Sequence, residues 1–432
     1  MLSAFKNAFK IPDLRNKILF TMFVIGIYRL GAHIPLPGVD IAQLHALERQ
    51  ASQSGGIYSL INLFSGKALT QMAVFALGIM PYITSSIIMQ LLTVVIPRLE
   101  ALQKEGEMGQ KKITQYTRYM TVVLALLQSL GIIVTANNGT LFGGAIRNLF
   151  PHLTVGRTFL IVLTLTAGTS LIMWLGETIT QRGIGNGMSL LIFASIIAGM
   201  PGNATALWAS AGPGKGTVFI FLGLLIVVAV VLVEQAQRRI PVQYAKRVVG
   251  RKTYGGASTY IPMKVNQAGV IPIIFASSLL YLPVLASTII HQQWLTNFVN
   301  NNLNNTNGKI SWWYVGAYFT LIIFFTYFYT AITFNPADVA DNMKKYGGFI
   351  PGIRPGKPTS DYLSHILTRI TLPGAMFLGA IAVLPFIAQG AWKVSSFPFA
   401  GTAVLIMVGV ALETMKQIES QLMMRHYEGF LK

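Results

Sequence analysis

Apolar runs of about twenty residues recur from one end of this 432-residue chain to the other, and each is long enough to cross a bilayer as a helix. We read ten spans: 18–37, 73–96, 119–136, 158–176, 187–207, 217–235, 268–290, 312–334, 367–389 and 397–416. The fifth is interrupted by Gly185, Gly187 and Gly199. Only 11% of residues are charged, against about 25% in a soluble chain. No long linker separates the spans, so the expected fold is one all-α polytopic membrane domain.

Basic residues orient it. With both termini on the cytoplasmic side, 25 of the 33 Lys and Arg fall in internal segments, seven in external loops and one, Arg29, within the first span. Lys6, Lys10, Arg15 and Lys17 precede that span. It is too long for a signal-peptide core and no small-x-small cleavage site follows, so it is expected to be retained. Much of the net charge of +19 is therefore topology, with a surplus in two loops.

The first loop is 236–267. "IPVQYAKRVV" and "STYIPMKV" are β-prone and "GRKTYGG" between them is a turn composition, which predicts a cytoplasmic β-hairpin with Arg251 and Lys252 at its tip. Arg247 lies on the same hairpin. Such a surface is either a solvated positive loop or a docking face for something acidic, ribosomal RNA or an acidic protein. The second loop is 335–369. Residues 336–345 read as a short helix beginning at a proline. "IPGIRPGKP" then holds Arg354, with Lys357 beside it, on a turn stiffened by Pro351, Pro355 and Pro358. A plain proline-rich connector is the alternative.

Enzyme chemistry is missing. The chain has no cysteine, so disulfides and thiolate chemistry are excluded. The six histidines are scattered and none has metal-ligand spacing. "GPGKGT" at 212–217 lacks the spacing of a phosphate loop, and "RGIGNG" at 182–187 follows no strand and reads as a tight turn into the fifth span. Neither a catalytic residue nor a cofactor is expected. Ion-coupled transporters carry ionisable groups near the midplane, and this chain has almost none.

Two short stretches stand out. "GIMPYITSS" at 78–86 and "GVIPIIFASS" at 269–278 align without gaps, so that Gly78, Pro81, Ile83 and Ser86 fall on Gly269, Pro272, Ile274 and Ser277. The pattern is repeated 191 residues apart. Gly and Ser allow close helix approach. Pro81 and Pro272 are expected to loosen one turn each of their spans. The other stretch is 55–72, in which 58–68 read as a helix too short to cross, carrying Leu60, Ile61, Leu63 and Phe64. It is either folded back into the protein or laid on the outer leaflet.

Taken together, "FALGIMPYITSSIIMQLLTVV", "KEGEMGQKKITQYTRYMTVVLA", "MWLGETITQRGIGNGMSLLIFASI", "RRIPVQYAKR", "KVNQAGVIPIIFASS", "NPADVADNMKKYGGFIPGIRPGKPT" and "LMMRHYEGFLK" resemble the bacterial SecY family, the channel subunit of the protein translocase. The resemblance covers essentially the whole chain. It implies ten helices in two inverted pseudo-symmetric halves, 1–207 and 217–432. It implies a passive channel in the bacterial plasma membrane for unfolded preproteins. SecE and SecG would be its companion subunits. The SecA ATPase or a translating ribosome would dock at Arg247, Arg251, Lys252, Arg354 and Lys357.

The same resemblance makes 57–70 a plug half-helix, with Tyr58, Leu60, Ile61, Leu63 and Phe64. It makes Pro81, Ser86, Gln90, Gln128, Pro272, Ser277 and Ser278 a lateral gate, through which hydrophobic segments, signal sequences among them, leave for the membrane lipids. A buried amide at Gln128 seeks a partner, and Ser86 or Gln90 is expected to supply it. A pore ring is implied at Ile79, Ile83, Ile196, Ile274 and Ile406. The rival reading is a secondary transporter for a small solute.

Overall fold

The computed structural model describes residues 9–40, 65–137, 149–150, 154–244, 247–249, 252–254, 258–290, 292–303, 311–392 and 401–429. Residues 58–64, Arg251 and the loops around 137–156 and 304–310 lie wholly or partly outside them, so the proposed plug residues Tyr58, Leu60, Ile61, Leu63 and Phe64 receive no structural account.

The architecture is helical. In chain order the helices are α1 (Pro12–Gly31), α2 (Met80–Val95), α3 (Pro97–Lys104), α4 (Glu107–Asn137), α5 (Val155–Arg182) and α6 (Gly187–Gln235). After a strand region come α7 (Ile271–Ile290), α8 (Gln293–Phe298), α9 (Trp312–Thr333), α10 (Pro336–Lys345), α11 (Lys357–Trp392) and α12 (Gly401–Gly429). Among the described residues, 6 helices are long and apolar enough to cross a membrane, or up to 7 if α2 and α3, bent by 99°, form one span. The chain is thus a multi-pass membrane protein. α6 is two helices in one, broken at Gly212 where φ is 76°.

Local sequence sets the helix ends. Asn186 caps α6 by accepting from the amides of Met188 and Ser189, which is the work of the "RGIGNG" turn. Asn335 caps α10 in the same way, with Pro336 at its first position. Helices then pack through bare backbone. A β-carbon on Gly187 would come within 1.9 Å of the Gly176 carbonyl, joining α5 to α6, and one on Gly401 within 1.7 Å of the Ile381 carbonyl, joining α11 to α12. Lipid offers no hydrophobic drive between helices, so this close approach, with its many dispersion contacts, is what holds them.

One apolar core runs through α1, α2, α4, α5, α6, α7, α9, α11 and α12. α2 packs on α4, α7 on α9, and α7 also meets both α2 and α4. The apolar residues outside the core, such as Phe23, Phe159, Phe221 and Phe324, are exposed as a lipid-facing surface requires.

Outside the membrane-spanning helices, β1 (Gln237–Tyr244) pairs antiparallel with β4 (Ser258–Lys264), Gln237 opposite Lys264. Between them β2 (Arg247–Val249) pairs with β3 (Lys252–Tyr254). β1, β2 and β4 fall on the β-prone runs of loop 236–267, whereas β3 occupies part of "GRKTYGG", expected to be a turn, and Lys252 is a strand residue paired with Val249. The sequence did not announce the third member of the larger sheet. β5 (Gly348–Phe349), from loop 335–369, pairs with β1 and makes the order β4-β1-β5. Ile240, Val242 and Met263 of the sheet pack with Met343, Ile350, Leu363 and Ile366. The two basic loops are therefore one folded body.

Candidate functional site

The repeated motif turns out to be a helix start. α2 begins at Met80 and α7 at Ile271, the same place in each copy. Gly78 has φ 57° and Gly269 φ 61°, a left-handed conformation that glycine adopts without penalty. Pro81 and Pro272 occupy the second helical position, where the missing amide is unneeded. This corrects two expectations. The prolines initiate their helices rather than loosening them, and residues 74–79 are turns, preceded by Ala73 bridged to Pro35, rather than the first part of a span. A helix continuing from 73 would bring the Pro81 ring against the carbonyl four residues back.

Non-helical backbone among apolar helices must be paired within the protein. Residues 65–79 meet that demand. Leu36 donates to the Met72 carbonyl at 2.9 Å and Val74 to the Ile34 carbonyl at 2.9 Å. Phe75 stacks on Tyr28, with ring centroids 5.8 Å apart. Arg29 does not merely reach outward; its Nη1 donates to the Gly66 carbonyl at 3.0 Å. The Tyr28 hydroxyl meets Ser195 Oγ at 2.7 Å, a buried contact between α1 and α6.

The five isoleucines come from four places in the chain. Ile79, Ile196, Ile274 and Ile406 are buried in the common core, and Ile83 is partly buried against it. None of the five is exposed.

The candidate gate residues are less uniform. Pro81, Gln128, Pro272, Ser277 and Ser278 are buried, Ser86 is half-buried and Gln90 is exposed. Ser277 Oγ donates to the Ile274 carbonyl of its own helix at 2.9 Å, and Ser278 Oγ has no partner. The tie between α2 and α4 is a different one: Ser85 Oγ donates to the Thr117 carbonyl at 2.7 Å. Ser85 lies about three turns before the end of α2 and Thr117 about three turns after the start of α4, as antiparallel neighbours should. Gln128 is then roughly 16 Å further along α4 at 1.5 Å per residue, while Ser86 and Gln90 run the opposite way. The expected bond from Gln128 to Ser86 or Gln90 is thereby overturned.

Sequence reading also missed two polar ties. Arg118 of α4 holds Glu177 of α5 in a two-pronged ion pair, Nε to Oε1 at 2.8 Å and Nη2 to Oε2 at 2.7 Å. Asn266 Nδ2 donates to Glu234 Oε1 of α6 at 2.6 Å. The signal was there: each acid is a rare charge at the end of an apolar run, and such a charge calls for a partner.

In the basic loops, Arg354 and Lys357 are exposed. The Arg354 carbonyl accepts from Thr359 Oγ1 at 2.8 Å, and Gly352 and Gly356 take φ of 82° and 103°. The arginine thus sits on a turn fixed by its own backbone. Arg247 lies in β2 and Lys252 in β3. Among the described residues no cluster of His, Cys, Asp or Glu is suited to a metal.

Comparison with known proteins gives concordant matches. Residues 73–415 match the SecY family. The protein translocase subunit SecY of Streptomyces coelicolor is 57% identical over 445 residues, covering 100% of both chains. That of Mycobacterium bovis is 56% identical over 444 residues, again covering 100% of each. A solved structure described as that of a protein conducting channel superposes with a TM-score of 0.64, 17% identity and coverage of 94% of this chain and 91% of the other. Sec61 in the canine ribosome-channel complex gives 0.61, 16% identity and the same coverage. At these identities the structural matches speak to fold alone.

Proposed function

Because the chain belongs to the SecY family, we propose that it is the pore-forming subunit of a protein-conducting channel, passing unfolded secretory chains across the bacterial plasma membrane and releasing hydrophobic segments sideways into lipid. It is a channel and not an enzyme, and it supplies no energy of its own.

The observation that carries the mechanism is the set of isoleucines. A conduit must pass bulky chains and hold back ions. A narrow apolar ring does both, because it dewets against ions and offers a polypeptide no polar partner. Ile79, Ile83, Ile196, Ile274 and Ile406 belong to one core, none of them exposed. The ten-span reading draws on the 6 spans given by length and composition and the bent pair α2–α3, together with α1 and the shorter apolar helices Gly187–Gly202 and Ile271–Val284. Helices broken by glycine or proline in both halves are what an inverted repeat around a central path leaves behind.

The lateral gate lies between α2 and α7, which start at matching points and touch across the halves. The shared sheet supports a single docking body for a motor or ribosome, with Arg247, Arg251, Lys252, Arg354 and Lys357 as its cations, and with both termini on that cytoplasmic side. The plug reading for 57–70 rests on family membership. SecE and SecG as companions, and SecA as motor, rest there too.

The test is electrical. Replacing Ile79, Ile83, Ile274 and Ile406 together by serine in the assembled channel should raise resting ion conductance in planar bilayers at least tenfold. A variant that stays tight even with 58–68 deleted would place the seal elsewhere. A solute transporter is disfavoured by the charges themselves. Arg29, Arg118, Glu177 and Glu234 all bond to other parts of the protein.

A further inference from the structure

The loop entering α7 is pinned at one side chain. Asn266 is 3% exposed, and its Nδ2 makes two bonds, to Glu234 Oε1 at 2.6 Å and to the Gly269 carbonyl at 3.1 Å. Both partners accept, so the amide orientation is settled by its neighbours. The first bond reaches back to the last turn of α6. The second fixes the left-handed glycine that starts α7. The backbone adds a parallel tie from the Val265 amide to the Ala236 carbonyl at 3.0 Å. Around this point the loop lies on bare glycine: a β-carbon on Gly374 of α11 would come within 2.5 Å of the Val265 carbonyl, and one on Gly409 of α12 within 3.2 Å of Val270. The Asn266 Oδ1 and Gln267 Oε1 atoms are buried with no partner, so the amide nitrogen alone carries this residue's bonding. The first half has a counterpart, where Arg29 near the end of α1 binds the Gly66 carbonyl ahead of α2.

From this geometry we infer that Asn266, held by Glu234, is the positioning residue of the gate helix α7, setting the angle at which it leaves the loop and so biasing the gate toward closed. The inference rests on the lateral-gate reading above. Glu234 lies on α6, which is joined to both halves; Asn266 lies in the loop that leads into the element that must swing. A bond to a charged group across that joint, worth roughly a factor of ten or more in an equilibrium, favours one orientation of α7.

The experiment uses the assembled channel in proteoliposomes, with two readouts: resting ion leak, and transport of a substrate whose hydrophobic targeting segment is crippled, relative to the intact one. N266A and E234A should each raise both about tenfold, and the double variant should do no more than either single. E234Q keeps an acceptor oxygen for Asn266 but not the charge, and should fall between the parent and E234A in both readouts. N266D/E234Q lets the glutamine donate to the aspartate, restoring the joint but not the Gly269 bond, and should recover part of the loss. Additive single variants, an E234Q as leaky as E234A, or a silent N266A would each overturn the inference. If N266A or E234A fails to assemble, the contrast of N266D alone with N266D/E234Q decides it. A control isolates the underlying reading. The chain has no cysteine, so a cysteine pair introduced across α2 and α7 can lock them. A locked channel that still releases hydrophobic segments to lipid refutes the gate itself, whereas a gate that obeys the lock but ignores Asn266 refutes only the present inference.

Discussion

Single side chains in this molecule act mostly as fasteners. The Arg118–Glu177 pair is the strongest of them, with side chains 37% and 17% exposed. Two-pronged geometry and partial burial place it above a surface ion pair, which is commonly worth under about 1 kcal/mol. Removing one partner leaves the other charge part-buried and unsatisfied. R118A or E177A should therefore destabilise the helix bundle by about 1–3 kcal/mol, read as a lowered thermal midpoint in detergent. The reversed pair R118E/E177R should recover much of it. A reversed pair no better than the single variants would mean that the arginine matters through its packing. These fasteners were only half legible in the sequence. A lone acid at the end of an apolar run advertises the need for a partner, but spacing along the chain does not say that Glu177 finds Arg118 or that Glu234 finds Asn266. Gln128 shows the limit clearly. Its type was informative, yet the partner assigned to it was wrong, because helix register is set by bulk packing and by the Ser85–Thr117 bond.

At the scale of elements, helix existence was readable and helix beginnings only in part. The apolar runs gave the long helices, and Pro336 and the "RGIGNG" turn gave two helix starts, each completed by an asparagine cap, Asn335 and Asn186. The reading of Pro81 and Pro272 failed because a proline in a long apolar run has two physical uses, kink or first turn, and the run alone does not choose between them. What chooses is the glycine three residues earlier, at φ 57° and 61°, which breaks the helix before the proline begins a new one. Glycine also sets how closely helices pack. G187A and G401A push a methyl group against backbone, which has nowhere to go, and each should cost about 1–3 kcal/mol and lower the yield of assembled protein. G214A meets nothing within 4 Å and should leave the yield unchanged. Equal losses for all three would show that the close approaches carry no energetic weight.

Over the whole molecule, the internal repeat was the most informative thing in the sequence. It foretold that two distant segments have the same build, and both copies start a helix at the same residue of the motif. The joining of the two basic loops was invisible, because β5 is only 2 residues long and its partner lies about a hundred residues earlier in the chain. That joining shapes the docking experiment. R354E should reduce motor-driven transport at least tenfold while leaving assembly intact, since the side chain is exposed; intact transport and intact ribosome binding after reversing Arg251, Lys252 and Arg354 together would end the docking reading. The shared sheet has a mechanical consequence as well. β1 continues directly from α6, and β5 lies between α10 and α11, so a load applied at either loop is divided between two helices instead of bending one connector. On the docking reading, a partner pressing on this sheet would load both arms together rather than one.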